Sequence, residues 1–430
     1  MFRAVFFLLL LAAAPARAKL FNETTFTLNN GMKVIVVENR RAPVVAHMVW
    51  YKTGSIDDPA GKSGVAHLLE HMMFKGTKTV PDGEFSKIVA RNGGEENAVT
   101  SYDYTAYYQN IARDRLELVM FLESDRMKNL RFGELDFAPE LEVVKEERLM
   151  RTENKPAALL AERRAAALWG EHPYGRPVIG FKKELHALKP DDVRAFYKKH
   201  YAPDNAILVV AGDISAEELK PLAEKYYGVL SPSRKAVEKR IFPQPFPAET
   251  KIEFSHPLAR VRTVHRTFPA PSYTGDGNPH AYAVLAEVLG DEPSGPLHKQ
   301  LVETKKAAAV SAYYGGFALD KGSFTLSAAA ADDTDLSDIE AVFDKGFSIR
   351  RKDVERAKKR LVSGMEFLTD DPQTAANILG RVAVLGLDAS VLDQWPEKIA
   401  AVSVEDVRAA WKKLAASPSV TTFLTPEKKQ

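Results

Sequence analysis

Two histidines stand one helical turn apart in SGVAHLLEHMMFKGT (63–77), His67 and His71, with Glu70 beside them. Side chains at i and i+4 of a helix stack, so both imidazoles can reach one ion while Glu70 takes a proton from water which that ion activates. Two nitrogen ligands with a neighbouring carboxylate are what a hydrolytic zinc site needs. The string alone is weak, because two histidines satisfied at a domain surface would be written with the same letters. A third ligand decides between the readings. PELEVVKEERLMRTE (139–153) offers one: Glu140 and Glu147, seven residues apart, share a helical face, and Pro139 suits a first helical turn. Glu147 would complete a His-His-Glu set with a fourth position open, the catalytic arrangement. The bland alternative is an acidic, solvated helix face. With no cysteine in the chain, a metal has only histidine and carboxylate to hold it.

The elements that must position these groups follow from patterning. Val65, Leu68, Leu69 and Met72 form one apolar stripe of a helix over 64–74, with Ser63 as its expected N-cap. Strands are expected at 32–37 and 44–52 before it, and a similar opening recurs later, with strands at 251–254 and 260–268 and an apolar helix at 281–289. LKPDDVRAFYKKHY (188–201) is echoed by VSVEDVRAAWKKL (402–414), the two Asp-Val-Arg-Ala strings lying 214 residues apart. Between these halves, SPSRKAVEKRIFPQPFP (231–247) carries four prolines and a charge run, which marks an interdomain linker. Strands and helices do not alternate strictly, which excludes a doubly wound fold. The expectation is an α+β chain of two homologous domains, 19–230 and 248–430, each an antiparallel sheet packed with helices.

Residues 1–18 combine Arg3, an apolar run over 4–14 and the ending Ala16-Arg17-Ala18, the pattern of a cleavable secretory signal. The mature chain is expected to begin near Lys19 and to be exported to a periplasm. The apolar run is too short to span a bilayer, so no membrane association is expected. Losing Arg3 and Arg17 from 59 basic residues leaves 57, equal to the 57 acidic ones, and gives no reason to expect a nucleic-acid partner.

Beyond the metal motif, the chain resembles the insulinase/pitrilysin family of metallopeptidases, whose zinc motif reverses the usual zincin order. The resemblance runs through HLLEHMMFKGT, NAVTSYDYTAYY (97–108), the acidic stretch around Glu147, HPYGRPVIG (172–180) and YAPDNAILVVAGDI (201–214). It is best to the smaller branch of bacterial and mitochondrial-processing-peptidase-like members. It implies zinc held by His67, His71 and Glu147, Glu70 as general base, and Glu140 fixing the tautomer of a ligand histidine. Glu146, the equally acidic neighbour of Glu147 on the same stretch, is set aside by the resemblance. Gly93-Gly94 reads as a turn and Glu95–Ser101 as the strand after it, and the resemblance makes that strand a sheet edge on which Asn97, Ala98 and Val99 meet an extended peptide substrate. An Asn97 that merely ends a turn is the competing reading. His172-Pro173-Tyr174 reads as a structural turn.

The resemblance also implies an arginine and a tyrosine, seven residues apart, from the second domain. In SGPLHKQLVETKKAAAVSAYY (294–314) these positions hold Val302 and Ala309, which cannot donate the hydrogen bonds required. Tyr313 and Tyr314 lie close by, but packing within a sheet is their expected role. The asymmetry points to the metal-bearing half of a heterodimer, completed by a paralogue that keeps the Arg/Tyr pair, with a homodimer less favoured. The rival is a non-catalytic assembly or peptide-binding subunit.

Overall fold

The computed structural model describes residues 20–233, 240, 242, 248–290, 293–332, 334–365 and 371–427. The secretory-signal reading and most of the expected linker lie outside the described residues.

The first half builds a six-stranded sheet from β1 (Glu23–Thr27), β2 (Lys33–Glu38), β3 (Val44–Tyr51), β4 (Glu95–Thr100), β5 (Thr105–Ala112) and β6 (Ala206–Gly212), in the order β1-β2-β6-β3-β5-β4. The second builds five strands, β7 (Thr250–His256), β8 (Thr263–Ala270), β9 (Ala307–Gly315), β10 (Gly322–Ala330) and β11 (Val420–Pro426), in the order β7-β11-β8-β10-β9. Apart from β1, the two orders are the same. The duplication read from two short sequence echoes is thus a duplication of topology.

The sheets are not wholly antiparallel, as patterning had suggested. β6 runs parallel to β2 (Lys33 opposite Ile207) and β11 parallel to β7 (Val420 opposite Thr250), while the remaining pairings are antiparallel. The cause is the long helical excursion before the last strand of each half, which returns it between β2 and β3 in the first half and between β7 and β8 in the second, and frees it from hairpin geometry. All of Ala206–Gly212 is buried, as expected of a strand covered on both faces.

On one face of the first sheet pack α1 (Val65–Met72), α2 (Glu84–Arg91), α3 (Leu116–Asn129) and α4 (Glu134–Arg148), with the helix Pro190–His200. Its other face, including Ile35, Met48, Trp50 and Val209, is covered by Ala375, Ala376, Leu379 and Val382 of the helix Pro372–Val384, which belongs to the second half. The reverse also holds. Helix α5 (Pro156–Trp169), from the first half, lies on the second sheet, where Leu160 meets Leu424 and Arg164 donates to the Thr422 hydroxyl at 3.1 Å. Each sheet is therefore closed by a helix of the other half.

Contact across this exchange is tight at Gly380. A Cβ there would come within 2.2 Å of the Trp50 indole, so no larger residue fits without moving the helix. A second bond between the halves joins His172 Nε2 to Asp320 at 3.0 Å, while Nδ1 of the same ring accepts the Tyr174 N–H. The Tyr174 hydroxyl donates to Asp103 at 2.6 Å. This agrees with a structural role for His172. Among the described residues, no helix is long and apolar enough to cross a membrane.

Candidate metal centre

Helix α1 begins where the chain turns through a left-handed conformation at Gly64 (φ +91°). A Cβ at Gly64 would meet the Ile179 carbonyl at 2.7 Å, so conformation and space both require glycine. Ser63 is not the cap. Its hydroxyl accepts from Phe181 N–H, and the free N–H groups of the helix start go instead to Asp58, from Gly64 at 2.7 Å and Ala66 at 3.0 Å. A carboxylate brought back by the preceding loop does what an adjacent serine was expected to do. Burial pushes the Asp58 carboxyl up to about 7. Val65, Leu68, Leu69 and Met72 are buried as the stripe predicts.

Helix α4 starts five residues before the expected turn, leaving Pro139 inside it. Its start is set by Asp136, whose carboxylate accepts the Gly133 N–H at 2.7 Å, a local bond that outweighs the preference of proline for the first turn. At its far end, Arg148 donates to the Gly180 carbonyl at 2.6 Å and to both oxygens of Glu162 on α5 at 3.0 and 3.1 Å. Gly180 lies against Gly64, so the end of α4 and the start of α1 share one support.

These two helices bring the predicted residues together. Glu147 Oε2 lies 3.2 Å from His71 Nε2 and 3.7 Å from His67 Nε2, and one ligand atom from each residue falls within 4.8 Å of the others. His71 presents its other nitrogen, Nδ1, to Glu140 Oε1 at 2.9 Å. Glu140 Oε2 is held by Lys75 Nζ at 2.6 Å, and Glu147 Oε1 by Arg151 Nη1 at 2.7 Å. Glu70, on the same turn as His71, accepts from the Thr100 hydroxyl of β4.

The electrostatics favour a cation between these groups. Burial alone would lower His71, but its bonds to Glu140 and Glu147 outweigh it and lift the imidazole to about 9. The bond from His71 holds Glu147 below the usual carboxylate range despite burial. Burial, aided by the charge on His71, brings His67 down to about 4, leaving a neutral ring free to coordinate. A neutral imidazole, an ionised carboxylate and a second imidazole that gives up its proton on binding fit a zinc ion in donor type and number.

The site opens into a cleft of about 570 Å³, whose lining residues all lie between His67 and Arg151. Asn97, Ala98, Val99 and Thr100 form one wall. They belong to β4, the outermost strand of the sheet, which among the described residues pairs only with β5. The Asn97 side chain accepts the N–H of Ala98 at 2.8 Å. Val302 and Ala309 stand apart from this cleft, on a π-turn (His298–Val302) and on β9. Tyr314 donates to the Pro271 carbonyl at 2.6 Å and packs on Tyr282, while Tyr313 faces solvent. Neither tyrosine lines the cleft.

Sequence reasoning missed Asp58, Lys75, Thr100 and Arg151. Two of them carried a signal, since Lys75 follows His71 and Arg151 follows Glu147 at the four-residue spacing that already linked the histidines.

Comparison with known proteins identifies the family. Residues 33–182 match the family described as insulinase (peptidase family M16), and residues 187–361 match the peptidase M16 inactive domain. The zinc protease PqqE of Helicobacter pylori is 30% identical over 429 residues, covering 96% of this chain and 95% of its own. An uncharacterized zinc protease of Bacillus subtilis, YmxG, is 26% identical over 93% of this chain and 98% of its own. Among solved structures, a protease from Helicobacter pylori has a TM-score of 0.83 at 26% identity, over 94% of this chain and 99% of its own. The periplasmic protease PqqL from Escherichia coli shares the fold, with a TM-score of 0.81 at 21% identity, over 96% of this chain and 48% of its own. With two α+β halves of like topology, a His-His-Glu cluster on the first and near full-length relatives named zinc proteases, this chain belongs to the insulinase family of peptidases, family M16.

Proposed function

We propose that the chain is a zinc metalloendopeptidase subunit that hydrolyses short or unfolded peptides. The observation that carries this reading is the convergence of His67, His71 and Glu147 beside Glu70, on a cleft whose wall is a sheet edge. His67 Nε2, His71 Nε2 and Glu147 Oε2 would hold the zinc. Zinc held there supplies Lewis acidity to water and to a peptide carbonyl.

The chain's own residues do the rest. An extended peptide adds to β4 as a further strand, displacing the Asn97 side chain from the Ala98 N–H, with Val99 against its side chains. Glu70 accepts the proton of the attacking water and passes it to the leaving amine. Burial raises the Glu70 carboxyl while the Thr100 hydroxyl partly offsets this, moving the group toward the range in which one carboxylate both takes and gives a proton. Glu140 keeps a proton on His71 Nδ1, so that Nε2 presents its lone pair.

The partner belongs to the same proposal. Since every lining residue comes from the first half, and Val302 and Ala309 cannot donate to a substrate, a paralogous chain bearing the Arg/Tyr pair would complete the site as a heterodimer. A periplasmic setting rests on the secretory pattern of residues 1–18 and on the naming of PqqL as periplasmic. Internally quenched peptides, assayed with this chain alone and with any co-encoded homologue, before and after chelation, test the whole. Chelator-sensitive cleavage that needs both chains is the expected result. Full activity from the isolated chain would remove the partner, and inactivity of every combination would remove the enzyme.

A further inference from the structure

After Arg148 the chain does not continue as an α-helix but widens into a single π-turn, Leu149–Glu153. Such turns occur in short pieces, frequently at functional sites. Arg151 stands in this turn and lines the cleft. Its Nη1 engages Glu147 Oε1, whereas Glu147 Oε2 is the oxygen that faces Nε2 of both histidines.

Arg151 is 72% exposed and Glu147 almost buried, so the guanidinium lies over the carboxylate from the solvent side. An exposed ion pair at this spacing adds little to the stability of the fold. What it changes is orientation. The last torsion of a glutamate is soft and roughly two-fold, so an unheld carboxylate can turn either oxygen, or both, toward the histidines. Glu140 is held by the same device: one oxygen takes His71 Nδ1, and the other takes the cation of Lys75.

We infer that Arg151 is a positioning residue for the third metal ligand, engaging Oε1 of Glu147 so that Oε2 stays turned toward His67 and His71. The inference rests on the reading of those three residues as zinc ligands. Arg151 acts through Glu147 and has no part in the proton transfers assigned to Glu70.

Two variants of the full chain test it, Arg151→Met, which keeps the apolar stem, and Arg151→Lys, which restores the charge. Zinc affinity is read by competition with a chromogenic chelator, and ligand arrangement by the visible spectrum of the Co(II)-loaded chain. The R151M chain should hold zinc about 10- to 100-fold more weakly, with an altered Co(II) spectrum. R151K should recover most of the affinity, and the metal-free proteins should melt together. R151M with wild-type affinity and spectrum would overturn the inference while leaving the metal site standing. A wild-type chain that takes up no zinc would overturn the reading of the site, and the inference with it.

Discussion

Glu140 and His71 meet through Oε1 and Nδ1 at 2.9 Å, on the side of the ring away from Glu147. The bond decides which nitrogen carries the proton and therefore which one is free to coordinate. Replacing Glu140 with Ala should weaken zinc binding about 10- to 100-fold while leaving the fold intact. Metal content after dialysis against a weak chelator, with circular dichroism as the control for folding, measures both. Undiminished zinc retention would show that His71 needs no such partner.

Glu70 touches the Thr100 hydroxyl and lies outside the ligand cluster, so its role separates from metal binding. Glu70→Gln should keep zinc near one equivalent yet lower peptide turnover by about 10²- to 10⁴-fold, the usual contribution of a general base. Near-wild-type turnover by this variant contradicts the assignment.

Ligand binding to the native state alone stabilises it. Chelation should lower the melting temperature of the wild-type chain, and Glu147→Ala should melt at the chelated temperature whether or not zinc is added. A scanning calorimetry series with and without zinc decides the point; a zinc-dependent rise in the Glu147→Ala chain would place the metal elsewhere.

Asp58 accepts two N–H groups from the start of the metal helix. Asp58→Ala leaves them unpaired and should cost about 1–3 kcal/mol, read by urea denaturation. The pH dependence has a definite sign. Burial raises this carboxyl to about 7 in the folded chain, above its ordinary value near 4, so the native state binds the extra proton. Its contribution to stability is therefore greatest at acid pH and declines as pH rises through about 7. Asp58→Asn should flatten that part of the profile; an unchanged slope between about pH 4 and 7, the window between the unfolded and folded values, argues against the shift.

Gly380→Ala places a methyl group against the Trp50 indole. Overpacking of this kind costs about 1–3 kcal/mol. The effect should appear in the denaturation midpoint and in tryptophan fluorescence together, because the contact joins the two halves.

The cluster of His67, His71 and Glu147 was partly legible in local spacing, His67 and His71 lying one turn apart and Glu140 and Glu147 two turns apart on a second helix, while the choice of Glu147 came from the family resemblance. The strands at 32–37 and 44–52 emerged as β2 and β3 for the same reason, since apolar runs register burial directly. The expected second-half strand at 260–268 began at Thr263 instead, three residues late, where the pairing with Leu424 opens. What stayed hidden depends on distant chain. Ser63 had the right letter for a cap, but the loop delivers Asp58, and the parallel entry of β6 depends on where a long excursion ends. Gly380 looks like an ordinary glycine in a helix until Trp50 is placed beside it. Arg151 was legible in spacing but not in aim, because nothing local announces a π-turn.

The exchanged helices bear on what can exist alone. Cut at the linker and separated, the first half would bare Ile35, Met48 and Val209, and the second would bare the sheet surface around Leu424. Neither half is a finished folding unit. A repeat whose halves cover each other's sheets in this way is stable as a pair. Nicking the connection should then leave a functional complex, whereas expressing either half by itself should yield aggregate.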